Sequence, residues 1–363
     1  MKDRAKGTRY GAHACRAVIA GLAFFALWQI GLGTLIEAWR PELRDPSFEI
    51  KYRQLTRLLR LHQEPPATIL FMGSSMTANG VNAGLLEQPL ASSLGRPVVS
   101  YNLAINGDGP LAHLIHMQRL LRRGIRPELV VVELSPLLCE VGQVKQEIRR
   151  YPPNLLEHSD LDIMERHADQ PDLYTDWWQA HLVPIHGHRI MILNQSARTF
   201  VPFSERVELW TDADRHGWRG KKQPTPAEHE RILEEIESQF KERGAKYKID
   251  EVPLNALREL TELLAKERIA TVFVLMPEGP LFRTFYLPER VAPVLATFAG
   301  LSRKHGFPLL SARDWFDEDK FRDSYHLHEQ GANAFTERLL REIISPTMHA
   351  AQNGQRSRVA KID

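Results

Sequence analysis

The stretch FMGSSMTANGV, residues 71–81, ends an apolar run in a glycine and two adjacent serines. Far downstream, FRDSYHLHEQGANAFTERL, residues 321–339, carries Asp323 and His326 three positions apart, just ahead of a helix-like period. A carboxylate that close to a histidine can hold one imidazole nitrogen while the other takes a proton from a hydroxyl. Serine, histidine and aspartate would then supply nucleophile, base and orienter for attack on an acyl carbonyl. Ser75 is the candidate nucleophile, and Ser74 replaces it if the register slips by one. A serine after a strand is, by itself, more often a turn or a helix cap, and Asp323 alone is a plausible N-cap. His328 completes a His-x-His with His326, but no Cys or carboxylate stands at matching ligand spacing, so no metal and no cofactor is expected.

These residues need elements to place them. Apolar runs ATILFMG (67–73), PVVSYNLA (97–104), ELVVVEL (128–134) and IATVFVLMP (269–277) read as strands. Helix-like periods separate them, including LAHLIHMQRLLRRG (111–124), LNALRELTELLAKER (254–268) and a final helix through GANAFTERLLREII. Strand and helix in alternation predict an α/β fold with a parallel sheet between helix layers, and near-continuous apolar strands suit a sheet buried on both faces. Gly73-Ser74-Ser75, Asn102 to Gly107 and Glu133 to Pro136 then all fall at C-terminal strand ends, the edge where open α/β sheets bind ligands. Glu133 reads as a buried structural carboxylate, and Glu278 with Arg283 as a loop ion pair rather than a substrate mouth.

The N-terminus is a separate element. Lys2, Arg4, Lys6, Arg9 and Arg16 against Asp3 (five minus one) put about +4 ahead of AVIAGLAFFALWQIGLGTLI, residues 17–36, which carries no charge. At about 1.5 Å per residue this run reaches about 30 Å, a bilayer core. A transmembrane anchor over 17–39 is expected, with a basic cytoplasmic segment at 1–16 and the bulk of the chain outside, periplasmic or extracellular. Cleavage after Ala38 and a soluble core helix are the competing readings. The net charge of +2 gives no nucleic-acid footprint, and Cys15 and Cys139 form neither a disulfide framework nor a metal motif.

Residues 40–66 read as a polar neck, 67–345 as the main domain and 346–363 as a disordered tail. Within the domain, 139–253 breaks the strand–helix rhythm and reads as a helical and loop insertion. Its DWWQ and HGHR place Trp177 and Trp178 as packing residues, with sugar stacking the lesser reading.

On these motifs the chain resembles the SGNH (GDSL-like) hydrolases and acyltransferases, most closely their membrane-anchored branch. FMGSS sets Gly73 and Ser75 on the Gly-Asp-Ser motif, with Ser74 where the aspartate usually stands. Asp323 and His326 match the family's Asp-x-x-His, and Gly331-Ala332 with Phe335-Thr336 look like its helix start. The resemblance covers roughly 67–138 and 254–345. It implies a flavodoxin-like three-layer α/β/α fold, Ser75, Asp323 and His326 as catalytic residues, and the Ser75 and Gly107 amides as the oxyanion hole. The family's third block usually adds an Asn side chain; here VVVELSPLL puts Leu137 there, and Asn102 or Asn106 are the possible substitutes. The implied activity is a serine-dependent esterase or O-acyltransferase on acyl groups of envelope or extracellular polysaccharide, or of a lipid-linked glycan. The rival is a non-catalytic accessory that binds a membrane-bound O-acyltransferase; a peptidase is a weaker third.

Overall fold

The computed structural model describes residues 2–359. Contacts divide the chain into two compact units. One comprises the chain up to Glu49, then Tyr151–Glu165 and Asp169–Leu209; the other comprises Ile50–Arg150, Arg166–Ala168 and the chain from Trp210 onward. The stretch 139–253, expected as one insertion, is therefore shared between them.

The second unit holds the sheet. β1 (Ala67–Met72), β2 (Val98–Asn102), β3 (Leu129–Leu134), β4 (Ala270–Leu275) and β5 (Leu309–Ser311) pair in the order β2-β1-β3-β4-β5. All four pairings are parallel, and this order is that of the flavodoxin-like class. Helices are numbered along the chain. After α1 (Lys2–Thr34), α2 (Pro46–Leu59) leads into β1, and α3 (Ser75–Gly80) with α4 (Glu87–Leu94) joins β1 to β2. α5 (Pro110–Arg122) precedes β3, and α6 (Val141–Arg150) follows it. The first unit takes most of α7 (Leu161–His167), then α8 (Leu173–Leu182), α9 (Pro184–Gly187) and α10 (Arg189–Ser196). The second resumes with α11 (Pro226–Ala245), α12 (Glu251–Lys266), α13 (Pro280–Arg283), α14 (Pro288–His305), α15 (Glu329–Leu339) and α16 (Ser345–Val359).

Strand side chains alternate between two buried faces, as a doubly covered sheet requires. Ile69, Phe71, Val131 and Val274 face a cluster with Leu90 of α4 and Phe335 and Leu339 of α15. On the other side, α12 lies against both α5 and α14. Both outer positions are closed in different ways. β5 is only three residues long. Along β2, Ser100 N–H donates to Glu87 Oε1 (3.1 Å) and Asn102 N–H donates to His216 O (2.8 Å). The Ser100 carbonyl accepts from His216 Nδ1 (3.2 Å), and the Asn102 carbonyl accepts from Lys51 Nζ (2.8 Å). Lys51 is wholly buried; it also donates to Gly217 O (3.0 Å) and lies 4.0 Å from the centre of the Trp210 ring.

The helical period read in KYRQLTRLLRLHQ of the neck falls in α2, which buries Leu55 and Leu58 because its apolar residues recur on one face. One expectation needs correction. The tail is helical through Val359, since Ile344 and Met348 extend the apolar stripe of α15 into the core beside the sheet. The remainder of the expected tail, 360–363, lies outside the described residues.

In the first unit, α1 and the π-turn Leu35–Trp39 contain a helical stretch, His13–Trp39, long and apolar enough to cross a membrane. Its apolar side chains stand outside any core, Phe24 at 71% and Leu27 at 68% exposure. A soluble core helix would bury them. α8 and α9 contact its C-terminal end.

Candidate active site

β1 leads into the turn that carries Ser74 and Ser75. Ser74 is the N-cap of α3: its Oγ accepts from Met76 N–H at 3.2 Å, and it is itself buried. The Ser74 hydroxyl donates to Glu133 Oε1 (2.6 Å), and Glu133 Oε2 accepts from Ser74 N–H (2.8 Å), Thr77 N–H (3.2 Å) and the Thr77 hydroxyl (2.6 Å). Glu133, at the end of β3, thus ties the turn to the neighbouring strand. Burial pushes its carboxyl up against the pull of those hydrogen bonds. Gly73 has no room for a side chain, since a Cβ there would sit 2.5 Å from Glu133 Oε2 and 2.6 Å from Thr77 Cβ. Ser74 is thus held in the clamp, while Ser75 is half-exposed at the first position of α3, where a backbone N–H has no intrahelical acceptor.

His326 arrives from the other end of the chain. Ser75 Oγ donates to His326 Nε2 at 2.7 Å, and His326 Nδ1 donates to Asp323 Oδ2 at 2.8 Å. Asp323 Oδ1 also accepts from the His326 backbone N–H (2.8 Å), so one carboxylate fixes both the ring and its own loop. Burial opposes the Asp323 charge, but the imidazole and these hydrogen bonds outweigh it and hold the carboxyl below the usual range.

Between the two lies Ser324, buried and in the left-handed region (φ 65°), where side chains other than glycine are strained. It is held there on three sides. Its hydroxyl donates to Glu318 Oε2 (3.0 Å) and accepts from Phe282 N–H (2.9 Å), and its carbonyl accepts from Gly279 N–H (2.6 Å). Tyr325 lies 4.0 Å from the His326 ring centre and stacks on Phe282 at 4.8 Å, beside Phe240 of α11. The 210–250 part of the expected insertion thereby furnishes one wall beside the base.

Gly107, the expected oxyanion donor, lies on a turn after β2. Ile105 N–H donates to Gly73 O (3.1 Å), linking this turn to the nucleophile turn, and Asp108 N–H donates to Ile105 O (3.0 Å). Gly107 takes φ 76° at the third turn position, which favours glycine. The turn's own hydrogen bond leaves the Gly107 N–H outside it. A side chain at 107 is excluded twice over, because a Cβ would also lie 2.4 Å from Arg150 Nη1. Arg150, at the end of α6, has its Nε and Nη2 buried with no hydrogen-bond partner in the protein. One helical turn earlier, Glu147 caps α5 by accepting from Gly109 and Ala112 N–H, both at 2.9 Å. Burial pushes the Glu147 carboxyl up to about 7.

Asn102, expected as a substitute oxyanion donor, does not serve. Its Nδ2 donates to Thr77 O and Val81 O, both at 2.8 Å, and its Oδ1 accepts from Ala104 N–H. It joins β2 to α3 instead. Asn106 sits half-buried beside Gly107 on the same turn. Leu137 is buried in an apolar cluster with Phe240 and Phe282, so the third-block position donates nothing. Glu278 is buried and paired with Arg313 (2.7 Å), and Arg283 donates to Arg313 O. His328 caps α15. Trp177 is buried in the first unit with its Nε1 donating to Leu156 O (3.0 Å), whereas Trp178 is exposed. Arg150 and Ser324 escaped the sequence reading, since a cation on an amphipathic helix and a serine inside a motif give no signal of their own.

No family model matches the chain, and no curated protein matches it. Among solved structures it is similar to TesA (12% identity, TM-score 0.37), covering 78% of this chain and 99% of that one. It is also similar to the psychrotrophic esterase EstA from Pseudoalteromonas sp., at 11% identity and TM-score 0.33, covering 80% of this chain and 99% of that one. A third is LAE5, an alpha/beta hydrolase enzyme from the metagenome of Lake Arreo, Spain, at 10% identity and TM-score 0.32, covering 76% of this chain and 93% of that one.

Proposed function

We propose that the protein is a serine-dependent esterase or O-acyltransferase of SGNH type, anchored by α1 and acting on acyl groups of an envelope or extracellular glycan. The observation that carries the chemistry is the unbroken relay from Asp323 through His326 to Ser75 at 2.8 and 2.7 Å. Ser75 Oγ attacks the acyl carbonyl as its proton passes to His326 Nε2. The imidazolium is stabilised by Asp323, which keeps its charge. The carbonyl oxygen, now an oxyanion, takes hydrogen bonds from the Ser75 and Gly107 amides, with the Arg150 guanidinium adding positive charge beside the turn. As the C–O bond to the leaving alcohol breaks, His326 returns the proton to that alcohol. Water or a sugar hydroxyl, deprotonated in turn by His326, then attacks the acyl-enzyme, and as the bond to Ser75 Oγ breaks His326 returns that proton to it. The outward-facing domain is supported by the basic residues at the start of α1, ahead of its apolar run, and the glycan substrate by the resemblance of the motifs.

The apolar Leu137 at the third-block position favours a second reading, in which the fold positions a membrane-bound O-acyltransferase without chemistry of its own. A fluorophosphonate probe on the full-length chain in detergent separates the two. Labelling of wild type that disappears in Ser75→Ala and in His326→Ala is the expected result; a folded wild type that takes no label leaves the accessory reading.

A further inference from the structure

The first unit contains a second cluster of chemistry-bearing side chains. Where α1 gives way to the π-turn, Glu37 meets His181 of α8 and His188, which precedes α10. Each brings one ligand atom within 4.8 Å of the other two. They line a cavity of about 260 Å³, with Gln29, Gly33 and Leu182 among its other walls.

The hydrogen bonding there is incomplete. His181 Nδ1 lies 2.7 Å from the Trp177 carbonyl, which can only accept, so Nδ1 carries the proton and Nε2 presents a bare lone pair in the neutral ring. That lone pair faces Glu37 Oε1 at 3.4 Å, an acceptor opposite an acceptor. His188 is 1% exposed, and its Nδ1 has no hydrogen-bond partner in the protein. The other Glu37 oxygen accepts from Arg44, whose Nη2 also lies 3.4 Å from Glu157 and 3.7 Å from Glu49. The arginine is thus neutralised by carboxylates on its far side while it orients Glu37.

We propose that Glu37, His181 and His188 form a binding site for a divalent transition-metal ion of the zinc class, with water as fourth ligand. Two imidazoles and one carboxylate are a standard donor set for zinc. With ligand bonds of about 2.0–2.1 Å, tetrahedral neighbours stand about 3.3 Å apart, which the observed 3.4 Å between His181 Nε2 and Glu37 Oε1 meets. The His181 N–H held by a backbone carbonyl and the Glu37 carboxylate held by Arg44 are the outer contacts that fix ligand orientation at such sites. The ion would pin the end of α1 to α8 and the start of α10, with the water as its one exchangeable ligand.

The test uses the full-length chain in detergent, stripped of metal by a chelator. Zinc chloride is titrated by calorimetry, and cobalt chloride by visible absorption, which reports tetrahedral coordination. One saturable site per chain is expected, with a tetrahedral cobalt spectrum. Glu37→Gln and His181→Gln, both at positions that solvent reaches, are each expected to weaken zinc at least roughly tenfold. Far-UV circular dichroism confirms that each variant is folded. The proposal is overturned if folded wild type shows no saturable zinc site, or if the double variant keeps wild-type affinity and spectrum.

Discussion

The two sides of Ser75 are built to different standards. On the acid–base side every group is fixed more than once. Asp323 accepts from both ring and backbone of His326, Ser324 is held in a strained conformation by three partners, and Glu133 clamps the nucleophile turn through four hydrogen bonds. On the Gly107 side there is a glycine turn, an arginine with two nitrogens lacking hydrogen-bond partners, and a leucine at the position where the resemblance expects a donor. Under the proposed mechanism proton transfer is preorganised, whereas stabilisation of the developing charge rests on two amides and one cation, and such a site would suit reactive acyl donors.

That contrast can be broken or sharpened by substitution. Asp323→Asn should have the largest effect, on the order of 10⁴ in kcat, because it disturbs the tautomer and discards the imidazolium's partner. Steady-state hydrolysis of a small aryl ester would measure it. Gly107→Ala should cost 10²–10³ in kcat on the order of a lost oxyanion donor, since the turn must shift from both its left-handed φ and Arg150. If it is silent, the Gly107 amide is not in the hole. Arg150→Met should lower kcat by roughly tenfold with little change in KM, provided its charge acts on the transition state. A rise in KM alone would instead make it a binding group for an anionic substrate.

The smallest effect concerns stability. The Glu147 carboxyl is raised from an ordinary 4.5 to about 7 in the folded chain, so folding favours its protonated form. Below about pH 4.5 it contributes nothing; as pH rises through 7 stability is lost, and above that the loss is constant. Glu147→Gln keeps an acceptor for Gly109 and Ala112 and should remove this dependence. Its melting temperature should gain a few degrees on wild type between pH 4.5 and 7, on the order of 1–3 kcal/mol. Parallel melting curves for the two proteins would show the Glu147 carboxyl to be ordinary.

What sequence could reveal follows from how local each signal is. Asp323 and His326 are three apart, so their spacing carries their geometry, and Ser75 sits where an apolar run meets glycine. Strand and helix periods gave the α/β class because each element's buried face repeats within it. Asn102 has the right residue type at the right strand end, yet its amide turns to α3, a choice made by carbonyls at 77 and 81 that no local pattern encodes. Arg150 meets Gly107 only through the packing of α6 on the turn before α5. The helix over Ser345–Val359 was missed because its sequence is polar apart from the few positions that reach the core.

The outer rim of β2 carries one more consequence. A strand at the margin of a sheet offers its free N–H and C=O groups to any other extended chain, and this is how sheets recruit partners or aggregate. Here those groups at Ser100 and Asn102 are already taken by Glu87, His216 and Lys51. The opposite margin is too short to template much. The unit that holds the sheet therefore resists growing it into a neighbouring chain.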